Sequence, residues 1–311
     1  MPRRSKPKYQ LPGARKNRGG NFGRLIWAIL ILAAGAIGFF ATRGHFKKSA
    51  PPSKPAVVFK SSPKPILVSR QSPADFPRPA HDVLEAQIAL ARRGISPGAI
   101  DAALGSQTRE AISVFQQIEN LPPTEKLDAD TRARLILDSP ILMNCVVTTN
   151  DLAQLQPLGK TWLAKSRQST LAYETELELV AEKSHSHPLL IQKLNPAVNW
   201  TNVSAGTVLQ IPDVNYPAPT NQAAFVVIHL SGKFLEAFDE NTNLILHCPC
   251  SIAARVEKRP VGELRVVVVA PNPNYTVDPE LFPESAELRA LGHKLILPPG
   301  PNNPVGVAWI G

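Results

Sequence analysis

The residues of this chain best suited to nucleophilic or metal chemistry crowd into one tetrapeptide, His247-Cys248-Pro249-Cys250. Zinc takes three or four nitrogen and sulfur ligands, usually as close pairs, and no second Cys/His pair at suitable spacing follows. In an extended strand Cys248 and Cys250 share one face, and neither has an evident activating base. The tetrapeptide therefore reads as strand cysteines, with no metal, no cofactor and no catalytic thiol. Asp239 to Asn243 (D-E-N-T-N) imitates the start of a calcium loop, but Leu244 stands at the loop's glycine and Cys250 at its closing glutamate. A hairpin turn fits it better. His185-Ser186-His187 reads as a surface turn before Pro188. With Cys145 the thiols number three, so at least one stays free in any pairing.

The elements that must position these groups are bounded by composition and charge. The formal charge of +9 resides at the N-terminus: residues 1–48 hold eleven Lys or Arg and no acid, leaving 23 basic against 25 acidic residues. A nucleic-acid binder needs its basic face on a folded domain, so nucleic acid is excluded as a partner. Leu25 to Thr42 is eighteen residues without a charge, near the ~20 that cross a bilayer as a helix. Eight positive residues precede it and three follow closely. That asymmetry predicts a cytoplasmic basic tail at 1–24, an uncleaved transmembrane signal anchor at 25–42, and export of the rest. Residues 43–80, rich in proline, read as an extended linker.

Residues 81–138 follow with helical periodicity. Val83, Leu84, Ile88, Leu90 and Ala91 share a broad face that Gly94 terminates. Ala111, Ile112, Phe115 and Ile118 form a second face with Ser106 as its expected N-cap, and Asp128 caps a third short helix. The order Gly94, Gly98, Ile100, Asp101, Gly105, Thr108, Ala111, Phe115, Gln116, Leu121, Leu127, Asp128, Thr131 and Leu135 resembles the peptidoglycan-binding domain family of three-helix repeats. Ala102 and Ala103 depart from it, where the pattern has Asp-Gly followed by an aromatic. The resemblance implies a wall-binding partner and contacts from Asp101, Gly105, Thr108 and Gln116. After a connector at 139–170, residues 171–214 place Val180, Ala181, Leu190, Leu194, Asn195, Gly206, Leu209, Ile211 and Pro212 in an order that resembles a divergent LysM module. That likeness implies a βααβ glycan binder with Asn195 as a contact.

Residues 222–311 turn to short apolar runs separated by turn residues, the texture of strands. Gly232 to Leu235, Pro260 to Val266 and Pro299 to Ile310 resemble successive motifs of the L,D-transpeptidase catalytic domain, the YkuD type, with Arg259 where threonine is usual. The resemblance implies a bacterial envelope protein and peptidoglycan glycan strands and stem peptides as partners. It also implies a cleft scaffold from Pro260, Gly262, Pro304, Gly306 and Trp309. The expected fold class is thus a multidomain α+β protein: a transmembrane helix, a three-helix bundle, a LysM-like module and an incomplete all-β transpeptidase-like domain. The expected location is the inner membrane, single-pass, with the bulk in the periplasm or cell-wall space.

Family chemistry is thiol acyl transfer: a cysteine activated by a histidine attacks a stem-peptide carbonyl, and an amine from a second stem resolves the acyl-enzyme. The family carries that cysteine in a Ser-His-Gly-Cys segment after the Trp-Ile strand, and no such tetrapeptide occurs in these residues. The expectation is a chain cut before its active site, with the catalytic cysteine, histidine and arginine all beyond Gly311. The alternative is a non-catalytic wall-binding tether with a relic domain. Either way the 311-residue chain, incubated with muropeptide donors and acceptors, yields no new cross-link by mass spectrometry. A cross-linked product would refute this.

Overall fold

Polar side chains fix where several of the helices begin. Asp82, Thr175 and Ser285 each accept a backbone N–H from three residues ahead, the pattern that satisfies a helix's orphan donors. The computed structural model describes residues 75–311 except 220, 253–255, 257, 258 and 260, and all of these belong to one compact unit. The transmembrane helix expected at 25–42 lies outside the described residues. No helix among the described residues is long and apolar enough to cross a membrane. That expectation is corrected: the fold supported is mixed helix and strand.

The bundle opens with a two-residue strand β1 (Arg78–Pro79). Helices α1 (Val83–Ala91), α2 (Ser106–Ile118) and α3 (Ala129–Arg134) follow. Strand β2 (Ile136–Leu137) returns antiparallel to β1 and ties the ends of the bundle together. The second helix starts one residue earlier in its cap than expected: Gly105, not Ser106, is the N-cap, without a side-chain bond. Asp128 caps α3 as read from the sequence, accepting from Thr131 N at 2.9 Å. Apolar burial drives the packing: Ile88, Leu90, Ile112, Phe115, Leu135 and Leu137 are fully buried, each contributing roughly 1.5–3 kcal/mol.

The second unit is a two-stranded sheet under helices. Strand β3 (Leu142–Val146) pairs antiparallel with β4 (Val208–Pro212), from Leu142↔Pro212 to Val146↔Val208. Between them come α4 (Thr149–Ala153), α5 (Trp162–Ser166), α6 (Glu176–Lys183) and α7 (Pro188–Leu194). The first strand therefore comes from the segment expected to be connector, and α4 and α5 are inserted ahead of the paired helices. This unit is continuous with the bundle, because Leu190, Leu194, Ile141 and Val214 pack into the bundle's core.

The remainder holds a three-stranded meander, β5 (Phe225–His229), β6 (Phe234–Phe238) and β7 (Leu244–Pro249). Two two-stranded pairs follow: β8 (Val269–Pro271) with β11 (Ala308–Ile310), and β9 (Tyr275–Val277) with β10 (Leu295–Leu297). Helix α8 (Ala286–Leu291) sits between β9 and β10, so this part is not all-β. The long apolar run before Ala270 becomes a strand only at its end. Gly311 extends the β8–β11 pair: its N–H donates to the Val268 carbonyl at 2.9 Å, and its carbonyl accepts from Val267 and Val268 N at 2.7 and 3.0 Å. The catalytic segment expected beyond Gly311 lies outside the described residues. Phe225 to Ile228 remain 37–54% exposed on the edge strand of the meander. The core here is small and borrowed: Leu171, ahead of α6, is fully buried beside Val277, Leu288, Leu295 and Leu297, with Trp162 and Leu163 of α5 against it. Glu287 of α8 accepts the N–H groups of Trp162 and Leu163 at 3.1 and 2.9 Å, capping α5 from 125 residues away.

The Pro298–Pro304 segment docks on that junction. Leu171 donates to the Pro299 carbonyl and accepts from Asn302 N, both at 2.9 Å. Gly300, at φ +142°, lies so close that a Cβ would sit 2.3 Å from the Leu171 carbonyl oxygen. Asn303 is buried and donates to the Pro298 and Pro273 carbonyls. Gly300→Ala is expected to destabilise this junction by about 2 kcal/mol or more, through clash added to an unfavourable φ. Gly306→Ala, at φ +70° in open space, loses only about 1 kcal/mol. Urea midpoints of the two variants test the difference, and equal losses would contradict the close approach.

Candidate functional site

The candidate site is the loop between α1 and α2. Gly94 ends α1 at φ +78°, and Ala102 also adopts a left-handed φ of +62°, a conformation that costs a residue with a Cβ roughly 1–2 kcal/mol. The turn is held open by Gln87, which sequence reading overlooked. Its side chain is 0% exposed, and Nε2 donates to Asp101 Oδ1 at 2.8 Å, Thr108 Oγ1 at 3.0 Å and the Ala103 carbonyl at 3.2 Å. Oε1 accepts from the N–H groups of Asp101 and Ala102 at 3.1 and 2.9 Å. Asp101 Oδ1 also accepts from Ala103 N. The signal was present as a lone glutamine on the apolar face of V-L-E-A-Q-I-A-L-A: a buried amide needs partners, and a neighbouring loop is where it finds them.

Asp101 and Thr108 thus come together through Gln87, and Thr108 is buried with its hydroxyl engaged. Gln116 belongs to a separate network. It is 0% exposed, donates to Thr131 Oγ1, Thr124 Oγ1 and the Lys126 carbonyl, and accepts from Glu125 N. Asp128 closes that network, its carboxyl held below the usual range by the Thr131 hydroxyl and N–H and by Thr124. Asn195 is buried between α7 and β4, bonded to Gln210 N and O and the Ile191 carbonyl. Thr108, Gln116 and Asn195 are therefore structural ties. Asp101, half-buried, and Gly105, exposed, remain at the surface, beside exposed Ala103, Ser106 and Gln107. Of the cleft candidates, Pro260 lies outside the described residues. Gly262 and Pro304 are exposed, Gly306 is half-buried, and Trp309 is 50% exposed on β11.

Two neighbours fix the loop from outside. His185 and His187, exposed at the turn read from the sequence, bracket Ile100 in backbone pairing: Ile100 N donates to His185 O at 2.9 Å and His187 N to Ile100 O at 2.8 Å. His187 also caps α7. Arg92, just past α1, donates to the carbonyls of Ser139, Pro140 and Asp213 at 2.6–3.0 Å and pairs with Asp213 Oδ2 at 3.3 Å. Burial lowers its pKa, against the pull of Asp213 and Asp138.

Residues 80–135 match the family model described as a putative peptidoglycan binding domain. No curated protein matches the chain. The matched segment contains the whole Gln87 and Gln116 networks, so both shape the part of the chain that is similar to a peptidoglycan binding domain. The match does not reach 171–214 or 222–311, where the LysM-like and transpeptidase resemblances rest on their sequence motifs alone. The inner-membrane location expected from 25–42 is corrected, since no helix among the described residues is long and apolar enough to cross a membrane, and no observation supports the membrane partner. The peptidoglycan-binding domain supports cell-wall association in their place.

The meander is joined to this domain at the same loop. Ser96 N donates to His247 O at 2.8 Å, and His247 N to Gly94 O at 3.1 Å. The His247 ring is 1% exposed, with neither nitrogen hydrogen-bonded; Glu236 Oε1 stands 3.8 Å from Nδ1. Burial lowers its pKa despite Glu236. The unfolded chain therefore binds a proton here that the folded one resists, and stability falls as pH drops below the ordinary histidine value of ~6.5. Between pH 7 and 5 the wild type is expected to lose more stability than His247→Phe in chemical denaturation. Parallel losses would show that other groups carry the pH dependence.

Proposed function

We propose that the chain is a cell-wall protein that grips peptidoglycan through residues 80–135 and holds its β-rich region against the wall. The match of that segment to a peptidoglycan-binding domain carries the reading. The geometry adds which groups are placed to act: half-buried Asp101 serves the loop through Oδ1, and Ala103, Gly105, Ser106 and Gln107 are exposed around it. A neutral, hydroxyl- and amide-rich ligand suits a rim of backbone groups, one amide and one carboxylate oxygen.

L,D-transpeptidase chemistry is the second reading. Supporting it are the Gly232–Leu235 run at the β5–β6 hairpin and the Pro299–Ile310 run, whose Gly300 and Asn303 are tied into the fold. Cross-linking by cysteine acyl transfer would need a nucleophilic cysteine in a Ser-His-Gly-Cys setting in addition to the described residues. Cys248 and Cys250 do not supply it, because burial pushes both thiols up, away from the thiolate.

The wall-binding reading is tested with purified sacculi. Gly105→Arg places a long side chain in open space at an unstrained position, so folding should be unchanged. Sedimentation with sacculi is expected to fall about tenfold, roughly the 1.4 kcal/mol of one lost anchoring contact. Undiminished retention would remove this loop from the binding surface.

A further inference from the structure

Where the bundle, the second unit and the meander converge, the chain forms a pocket of about 520 Å³, within the roughly 300–1,000 Å³ of small-molecule sites. Its lining includes Gly94 of the bundle, Tyr216, Pro217, Asn221 and Gln222 of the segment after β4, and Leu246 of β7. Gly94 is needed there: a Cβ would lie 3.1 Å from the Ile245 carbonyl oxygen and 3.7 Å from Pro217. Tyr216 is fixed at both ends, its hydroxyl donating to Ser96 Oγ at 3.0 Å and its ring edge-on to His185 at 4.9 Å. Asn221 is oriented by a bond from Nδ2 to Asp239 Oδ2 at 3.0 Å, which leaves its amide oxygen as an acceptor. Gln222 is exposed.

We infer that this pocket binds an N-acetylated amino sugar, a second glycan contact beside the wall-binding loop. Among the described residues its lining carries no charged side chain, which disfavours phosphates, nucleotides and charged peptides. It combines an aromatic ring and apolar walls, suited to the C–H face of a pyranose and an acetyl methyl, with two amides suited to hydroxyl and acetamido groups. The choice of sugar rests on the wall-binding reading; the pocket and its neutrality do not.

The test titrates the full chain with the β-1,4-linked disaccharide of N-acetylglucosamine, using the corresponding glucose disaccharide as comparator and calorimetry or ligand-observed NMR as readout. Ala223, exposed at the pocket, permits Ala223→Trp as a blocking variant that leaves the cores untouched; Gln222→Ala removes an amide. Saturable binding of the acetylated sugar, at least tenfold weaker in Ala223→Trp, several-fold weaker in Gln222→Ala and unchanged in Gly105→Arg, is expected. Absence of saturable binding, equal affinity for both disaccharides, or an unaffected Ala223→Trp would overturn the inference. Sacculus retention of the same samples reports separately on the bundle: Ala223→Trp that still sediments while the disaccharide fails to bind shows the pocket failing and the wall-binding reading standing.

Discussion

A carboxamide without access to water cannot be left unpaired, since desolvating it uncompensated costs on the order of 1–3 kcal/mol, and Gln87 meets that demand by gathering the entire α1–α2 loop around itself. Five hydrogen bonds reach it from Asp101, Ala102, Ala103 and Thr108. They hold Ala102 in a backbone conformation that an alanine would otherwise leave. The same constraint fixes which groups the loop can offer a ligand. Polar side chains that look available in sequence, such as Thr108, are spent inward, while half-buried Asp101 gives Oδ1 to the loop.

The loop is then used from three directions. The second unit pairs with Ile100, the meander pairs with Gly94 and Ser96, and Arg92 gathers three carbonyls at the seam. An arginine so enclosed is desolvated, and breaking a buried charge from its partners costs far more than forming it contributes. A wall-binding domain that could in principle fold alone is therefore integrated with the second unit through shared core residues Leu190, Leu194 and Val214. The meander joins the loop through backbone pairing at Gly94 and Ser96.

How much of this was legible depends on where each signal resides. Helix faces were readable because apolar side chains recur at the helical period; Ile112 and Phe115 are fully buried as read. Asp128 as a cap was readable because capping is local. The site residues were less so: Thr108 and Gln116 stand in the family order, but only the fold reveals that Gln87 and Thr131 consume them. Strand β3 was missed because L-M-N-C-V has no clean alternation and is half-exposed, so its partner β4, distant in the chain, decides it. His185 and His187 lie at an exposed turn as expected, but their pairing with Ile100 is made by backbone groups, and side-chain identity carries no record of that.

The β-rich region shows the limit of patterning in the other direction. Strand texture was legible there, though β9 gave no apolar run of its own, yet the apolar side chains that announced the strands stay exposed on β5, β8 and β11, while the packed core relies on Leu171 and on Trp162 and Leu163 from a segment that read as connector. Hydrophobic runs signal a need for burial, not which surface satisfies it. Stability in this region accordingly concentrates where chain segments far apart in sequence meet, at Glu287 with α5 and at Gly300 with Leu171. The meander's attachment to the bundle runs through Leu244, packed against the bundle core, and through two backbone bonds at His247. Strand β5 lies on the far side of the meander from that attachment and pairs with β6 alone, so its exposed edge opens at lower free energy than the strand held against the bundle.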